Sequence, residues 1–157
     1  MEQLELKSLI GVCQLNELAT DDQRLVNMAI EATERSYSPY SHFHVGAALR
    51  LENGVEMMGC NQENAAFTVG ICAERAAIYA AGAQYPDQAI TTLAIAARGT
   101  DGELTTEPVS PCGSCRQVII ETETRFGRPV RILLYGQRCV YIVDGIKQLM
   151  PLSFTEF

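Results

Sequence analysis

Three cysteines constrain this chain more than any other feature: Cys72 in Cys72-Ala73-Glu74-Arg75, and the pair in Pro111-Cys112-Gly113-Ser114-Cys115-Arg116. Three thiolates can hold a soft divalent cation, but only in a fold that returns residue 112 to residue 72. The 40-residue separation of Cys72 and Cys112 suits one strand and its flanking loops between two helices. Glu74 stands two residues from the first thiol, where a carboxylate can accept a proton from a water held by the cation. The same residues therefore restrict both the topology and the chemistry.

The 157 residues suit one domain able to enclose a core without disulfide staples. Twelve basic residues against 19 acidic give a net charge of −7, and no run of Lys or Arg stands out. An electrostatic footprint for a nucleic-acid polymer is missing, so a small substrate is expected. The start, Met1 to Lys7, lacks the basic and apolar pattern of a signal peptide. No window approaches the ~18 apolar residues of a membrane helix, so no membrane partner and a cytoplasmic location are expected. In that compartment six cysteines read as metal ligands and buried thiols. Cys13, Cys60 and Cys139, in apolar strand-like settings, read as structural.

Along the chain, residues 1–19 form an N-terminal extension in which Leu6 to Leu15 can add a strand. Thr20-Asp21-Asp22-Gln23 has capping-box spacing, and Leu25, Met28, Ala29 and Ala32 share one helical face. Ser38-Pro39 ends that helix. His44–Leu51 and Val55–Cys60 read as strands joined by a tight turn at Asn53-Gly54. An alanine-rich helix runs from Cys72 to Ala83, then a strand from Thr91 to Ala97. A helix begins at Pro111, strands span Val130–Tyr135 and Val140–Val143, and a short helical piece lies near Ile146–Leu149. This order predicts an α/β fold: a three-layer α/β/α sandwich with a mixed five-stranded sheet. The two thiol-bearing helices should lie side by side on one face, their N-termini meeting at one cation.

Zn²⁺ prefers four ligands, so three thiolates leave one position for water. Zinc can draw the pKa of that water from ~15.7 to ~7, roughly 12 kcal/mol of differential stabilisation of hydroxide. Three thiolates weaken this effect by giving the site a net charge of −1. Helix N-termini at Cys72 and Cys112 oppose the weakening, and so would hydrogen bonds from Arg75 and Arg116 to sulfur.

Five blocks in family order carry a resemblance to the small cytidine deaminases that act on free nucleosides. They are Tyr37-Ser38-Pro39-Tyr40-Ser41-His42-Phe43, Val45-Gly46-Ala47-Ala48, Gly59-Cys60-Asn61-Gln62-Glu63-Asn64-Ala65, Cys72-Ala73-Glu74-Arg75, and Ser110-Pro111-Cys112-Gly113-Ser114-Cys115-Arg116-Gln117. The resemblance spans roughly Tyr37 to Phe154. It implies one Zn²⁺ per subunit on Cys72, Cys112 and Cys115, and hydrolytic deamination of cytidine and 2′-deoxycytidine for pyrimidine salvage. Glu74 is then the proton carrier between water, pyrimidine N3 and the leaving amine. Asn61 and Glu63 match a sugar-binding pair, and Phe43 an aromatic beside the base. The Ala73 N–H and a carbonyl near Ser110 match contacts to the base edge. Phe154 matches an aromatic that reaches a neighbouring subunit in homotetrameric members.

Three positions depart from the family pattern. Phe67-Thr68 stands where Tyr-Pro is frequent, removing a hydroxyl that helps complete the site across a subunit boundary. His44 replaces a non-ionisable residue and reads as a strand residue without a catalytic role. Other readings of the motifs stay open here. Cys112-x-x-Cys115 alone fits a redox pair. Cys60, Cys139, His42 or His44 could close a four-ligand structural zinc site in a non-catalytic binding module, although strand placement argues against it. A nucleotide, a modified cytosine or a cytosine-containing antibiotic could replace the nucleoside as substrate.

Overall fold

The computed structural model describes residues 1–155. Six strands and three long helices follow in the order β1 (Gly11–Cys13), α1 (Thr20–Thr33), β2 (His44–Leu51), β3 (Glu56–Cys60), α2 (Ala73–Gln84), β4 (Ile90–Arg98), α3 (Gly113–Phe126), β5 (Arg131–Tyr135) and β6 (Val140–Asp144). The strands form one mixed sheet in the order β1-β6-β5-β4-β2-β3, parallel only at β4–β5. The expected α/β sandwich is present, with a correction to the strand count. Gly11–Cys13 adds a sixth strand by pairing antiparallel with Ile142–Val140.

Period-two alternation sorts the sheet residues between the two faces. Ala47, Leu49, Leu51, Leu93, Ile95, Ile132 and Leu134 point toward α2 and α3, which contribute Ala73, Ala77, Ile78, Ala81, Ile119 and Ile120. Ala48, Ala94, Ala96, Leu133 and Val140 point the other way, onto Leu25, Val26 and Ala29 of α1. The buried Leu and Ile side chains stabilise this core by roughly 1.5–3 kcal/mol each.

Topology places the thiols. β2 is antiparallel to both β3 and β4, and β4 is parallel to β5, so β3, β4 and β5 run in one direction. α2 follows β3 and α3 follows β4. Both helices therefore start at the carboxyl end of the same sheet, on the same face. Open α/β sheets bind ligands at that end.

Local details refine the helix starts. The capping box at Thr20 does not form: Ala19 is the N-cap and no side chain caps α1. Gln23 instead donates to the carbonyl of Leu18 at 2.7 Å, because the preceding 3-10 turn (Leu15–Glu17) presents that carbonyl. Pro111 does not open α3; Cys112 is the N-cap and the helix begins at Gly113. Among the described residues no helix is long and apolar enough to cross a membrane.

Candidate active site

Cys72 and Cys112 occupy equivalent positions, each the extended N-cap of its helix. The Cys72 carbonyl accepts from Ala76 N–H at 3.0 Å and the Cys112 carbonyl from Arg116 N–H at 2.9 Å. Cys115 lies on the first turn of α3, so α2 supplies one sulfur and α3 supplies two. The Cys72–Cys112 sulfurs are 3.8 Å apart, the Cys112–Cys115 sulfurs 3.5 Å, and all three lie within 4.8 Å of one another. Tetrahedral zinc with Zn–S bonds of ~2.3 Å requires S···S separations of about 3.8 Å. The donor set therefore fits a zinc ion in both chemistry and spacing.

No fourth His, Cys, Asp or Glu ligand atom joins the group among the described residues. The alternative fourth ligands are engaged or placed elsewhere. Cys60 donates to the Arg35 carbonyl, Cys139 is buried beside β6, and His44 bonds Ser38. All six cysteines are free thiols.

The thiol environment favours thiolate at Cys72. Hydrogen bonds from Cys115 and then from Arg75 outweigh burial and pull its pKa down to about 5. The Arg75 guanidinium stands 3.6 Å from that sulfur. Cys115, donor to Cys72 and itself buried, is pushed upward. Arg116 lies elsewhere than expected, donating to the carbonyls of Pro111 at 2.9 Å and Leu149 at 2.7 Å. Its i+4 position after Cys112 aims the guanidinium along the chain that enters α3, so it braces the loop.

Glu74 is only 4% exposed. Burial raises its carboxyl above the ordinary value, the Cys72 charge adds to the rise, and hydrogen bonds from its own backbone N–H and from Cys115 partly offset it. Ala73, fully buried, opens α2, where a backbone N–H lacks a helical acceptor and can meet a ligand.

Asn61 and Glu63 both hold the loop between α1 and β2. Asn61 Oδ1 accepts from Val45 N–H at 2.8 Å and Ser36 Oγ–H at 2.6 Å, and its Nδ2 donates to the Phe43 carbonyl at 2.9 Å. The second Nδ2 hydrogen has no partner among the described residues. Glu63 accepts from the N–H groups of Tyr40 and Ser41, at 2.9 and 3.2 Å, and from the Ser41 hydroxyl. The hydroxyl foremost holds its carboxyl below the usual range. A 360 Å³ cavity lined by Tyr40, Ser41, Glu63, Asn64 and Phe67 opens beside it.

Phe43 is half-buried at the end of this loop. Phe67 is 77% exposed and meets Tyr40 edge-on at 5.6 Å. Phe154 is 63% exposed, and its carbonyl accepts from Gln117 on α3 at 2.9 Å. Sequence reasoning overlooked Ser36 and Ser41, whose hydroxyls bond the Asn61 and Glu63 side chains, and Ser38, which bonds Ser36. The only available signal was a concentration of small hydroxyl residues ahead of β2. A second, apolar cleft of 320 Å³ lies between the C-terminal halves of α2 and α3, and no cysteine lines it.

Comparison with known proteins agrees with this geometry. The family described as "Cytidine and deoxycytidylate deaminase zinc-binding region" matches residues 19–127. A cytidine deaminase of Halalkalibacterium halodurans is 44% identical over 101 residues, 64% of this chain and 71% of that protein. A blasticidin-S deaminase of Bacillus cereus is 29% identical over 140 residues, 88% of this chain and 96% of its own length. The crystal structure of a cytidine deaminase from Burkholderia pseudomallei superposes with a TM-score of 0.73 at 33% identity, covering 87% of this chain and all of that one. With three sulfurs spaced for zinc and a buried carboxylate beside them, the chain belongs to the zinc-dependent cytidine and deoxycytidylate deaminase family.

Proposed function

We propose that the protein catalyses hydrolytic deamination of cytidine and 2′-deoxycytidine to uridine and 2′-deoxyuridine, releasing ammonia. The observation that carries this reading is the three-sulfur group, with no fourth protein donor among the described residues, beside the buried Glu74. Cys72, Cys112 and Cys115 hold the zinc. When bound, zinc supplies Lewis acidity that makes a water proton labile near neutral pH.

The chain's own residues manage the proton and the pose. Glu74 accepts a proton from the attacking water and hands it to pyrimidine N3, which draws electrons from C4. It then takes the remaining proton from the hydroxyl now on C4 and delivers it to the amine, which leaves as ammonia as the C4 carbonyl forms. Arg75 tempers the charge on Cys72, while Arg116 braces the loop entering α3. Ala73 N–H contacts the base edge, Phe43 flanks the ring, and Asn61 and Glu63 receive the sugar. Glu63 near the sugar disfavours an added phosphate, so a free nucleoside is preferred to a nucleotide. The wider reading is a homotetramer of one-domain subunits, each with one zinc, serving pyrimidine salvage in the cytoplasm. The exposed Phe67, Val69 and Tyr40 support a subunit contact near the sugar side, with Phe154 reaching a neighbour's pocket.

A second reading has a specific motive. The blasticidin-S deaminase of Bacillus cereus is similar over 88% of the chain, and Phe67-Thr68 departs from the Tyr-Pro frequent in nucleoside enzymes. Purified protein assayed against cytidine, cytidine monophosphate and blasticidin S, with ammonia and zinc quantified, separates the readings. One zinc per chain and ammonia equal to the uridine formed are expected. Bound zinc with no ammonia from any of the three would leave a non-catalytic zinc module.

A further inference from the structure

At the entrance of β2 lies a polar cluster that the proposed reaction does not use. Ser38 is buried, Ser36 and His44 are half-buried, and the three meet one another beside Asn61, which Ser36 bonds. Ser36 Oγ is 2.6 Å from Asn61 Oδ1 and 3.0 Å from Ser38 Oγ. His44 Nδ1 stands 2.8 Å from Ser38 Oγ and 3.2 Å from Ser36 Oγ, with Nε2 farther from Ser38, at 3.5 Å.

Counting donors decides where the protons lie. Val45 N–H can only donate and the Phe43 carbonyl can only accept, so the Asn61 amide has one orientation, with Oδ1 as acceptor. Ser36 must then give its single proton to Asn61. The Ser36–Ser38 contact is bonded only if Ser38 donates, which uses the one Ser38 proton. The His44 Nδ1–Ser36 contact at 3.2 Å then requires a proton on Nδ1, because Ser36 has none left to give. Ser38 Oγ, 2.8 Å from Nδ1 and 3.5 Å from Nε2, lies against the ring and off the line of the Nδ1–H bond. With Nδ1 bare, the ring competes with Asn61 for the Ser36 proton.

We infer that His44 carries a proton on Nδ1 and acts, through Ser36, as a positioning residue that keeps Asn61 set for nucleoside binding. The direction of donation is His44 to Ser36 to Asn61 Oδ1, with Ser38 donating to Ser36 as well. Its link to substrate rests on the proposed function, whereas the proton arrangement does not. His44 touches no reacting atom; its effect falls on the Michaelis complex through the residue that faces the sugar.

The chain has two histidines, so long-range ¹H–¹⁵N correlation on the zinc-loaded protein resolves them, with a His42→Ala variant giving the assignment. A proton on His44 Nδ1 is expected, with Nε2 either bare or protonated; Nε2–H with a bare Nδ1 overturns the inference. Kinetics supply the second arm. Asparagine offers an N–H near the Nδ1 position, so His44→Asn should keep the cytidine KM within twofold. Glutamine offers it near Nε2, so His44→Gln should raise KM about fivefold, the scale of one neutral hydrogen bond, with kcat little changed. Equal KM values for the two variants, or a loss confined to kcat, overturn the positioning role. A bare Nδ1 in an active enzyme sinks this inference alone. A protonated Nδ1 in a protein that deaminates no nucleoside upholds the proton chain and sinks the nucleoside reading.

Discussion

Glu74 combines two features that a proton shuttle needs. Burial lifts its carboxyl above the ordinary range, and its place two residues after Cys72 keeps it beside the sulfurs. Glu74→Ala should lower kcat by roughly 10²–10⁴ while zinc content and the circular dichroism spectrum stay as in the parent. Turnover near the parental level would remove this residue from the reaction. The sulfur ligands and Glu74 were legible because their chemistry is local to two short motifs. The work of Asn61 and Glu63 inside the protein was not. Both spend most of their hydrogen-bonding capacity on residues 36–45, through backbone groups and serine hydroxyls, and partners that distant in sequence leave no mark on spacing. Arg75 and Arg116 show the same limit. Arg75 follows Cys72 by three residues and Arg116 follows Cys115 by one, yet only Arg75 turns back to sulfur, whereas Arg116 meets the carbonyl of Leu149.

The long elements follow their periodicity closely, since every strand from β2 to β6 begins and ends near its expected bounds and all three helices begin near theirs, although α1 stops at Thr33, ahead of the expected Ser38-Pro39. Misplaced starts occur where a cap decides the boundary, at Ala19 and Cys112, because capping depends on what the preceding turn presents. The close approach of β3 to α2 had no sequence signal beyond a glycine. A Cβ at Gly59 would lie 2.6 Å from Ala77 N and 2.7 Å from the Ala73 carbonyl, so the helix rests directly on the strand. Gly59→Ala must push back the helix that carries Cys72 and Glu74. A loss of about 1–3 kcal/mol in stability and weaker zinc retention are expected. Gly82, on the same helix, meets nothing within 4 Å, and Gly82→Ala should raise stability by about 0.5–1 kcal/mol. Urea melts of the two variants check the pair, and equal midpoints would contradict the packing argument.

Across the molecule, a charged network fastens α1 to the sheet. Arg50 bridges Asp22 at 3.1 Å and Glu56 at 2.9 Å, Arg24 meets Glu56 at 3.0 Å, and Arg131 joins Asp22 to Asp144. The Arg24 bond foremost, then Arg50, holds the Glu56 carboxyl below its ordinary value. A depressed carboxylate contributes fully above its unfolded pKa and loses that contribution as pH falls through the lower folded value. The melting temperature of the parent should therefore drop more steeply on acidification below about pH 5 than that of Glu56→Gln. Parallel curves would show that the network adds nothing. The sandwich as a whole was legible from the order of its elements; the sixth strand was legible only as an optional addition somewhere in Leu6 to Leu15, because its three residues acquire an identity only by docking on β6. The split of sulfur donors between α2 and α3, with β4 between them, has a temporal consequence. A ribosome must release β4 and the first turn of α3 before a cation can be gripped by all three thiolates, so metallation is a late step in biogenesis and an indicator that the sheet around β4 has assembled.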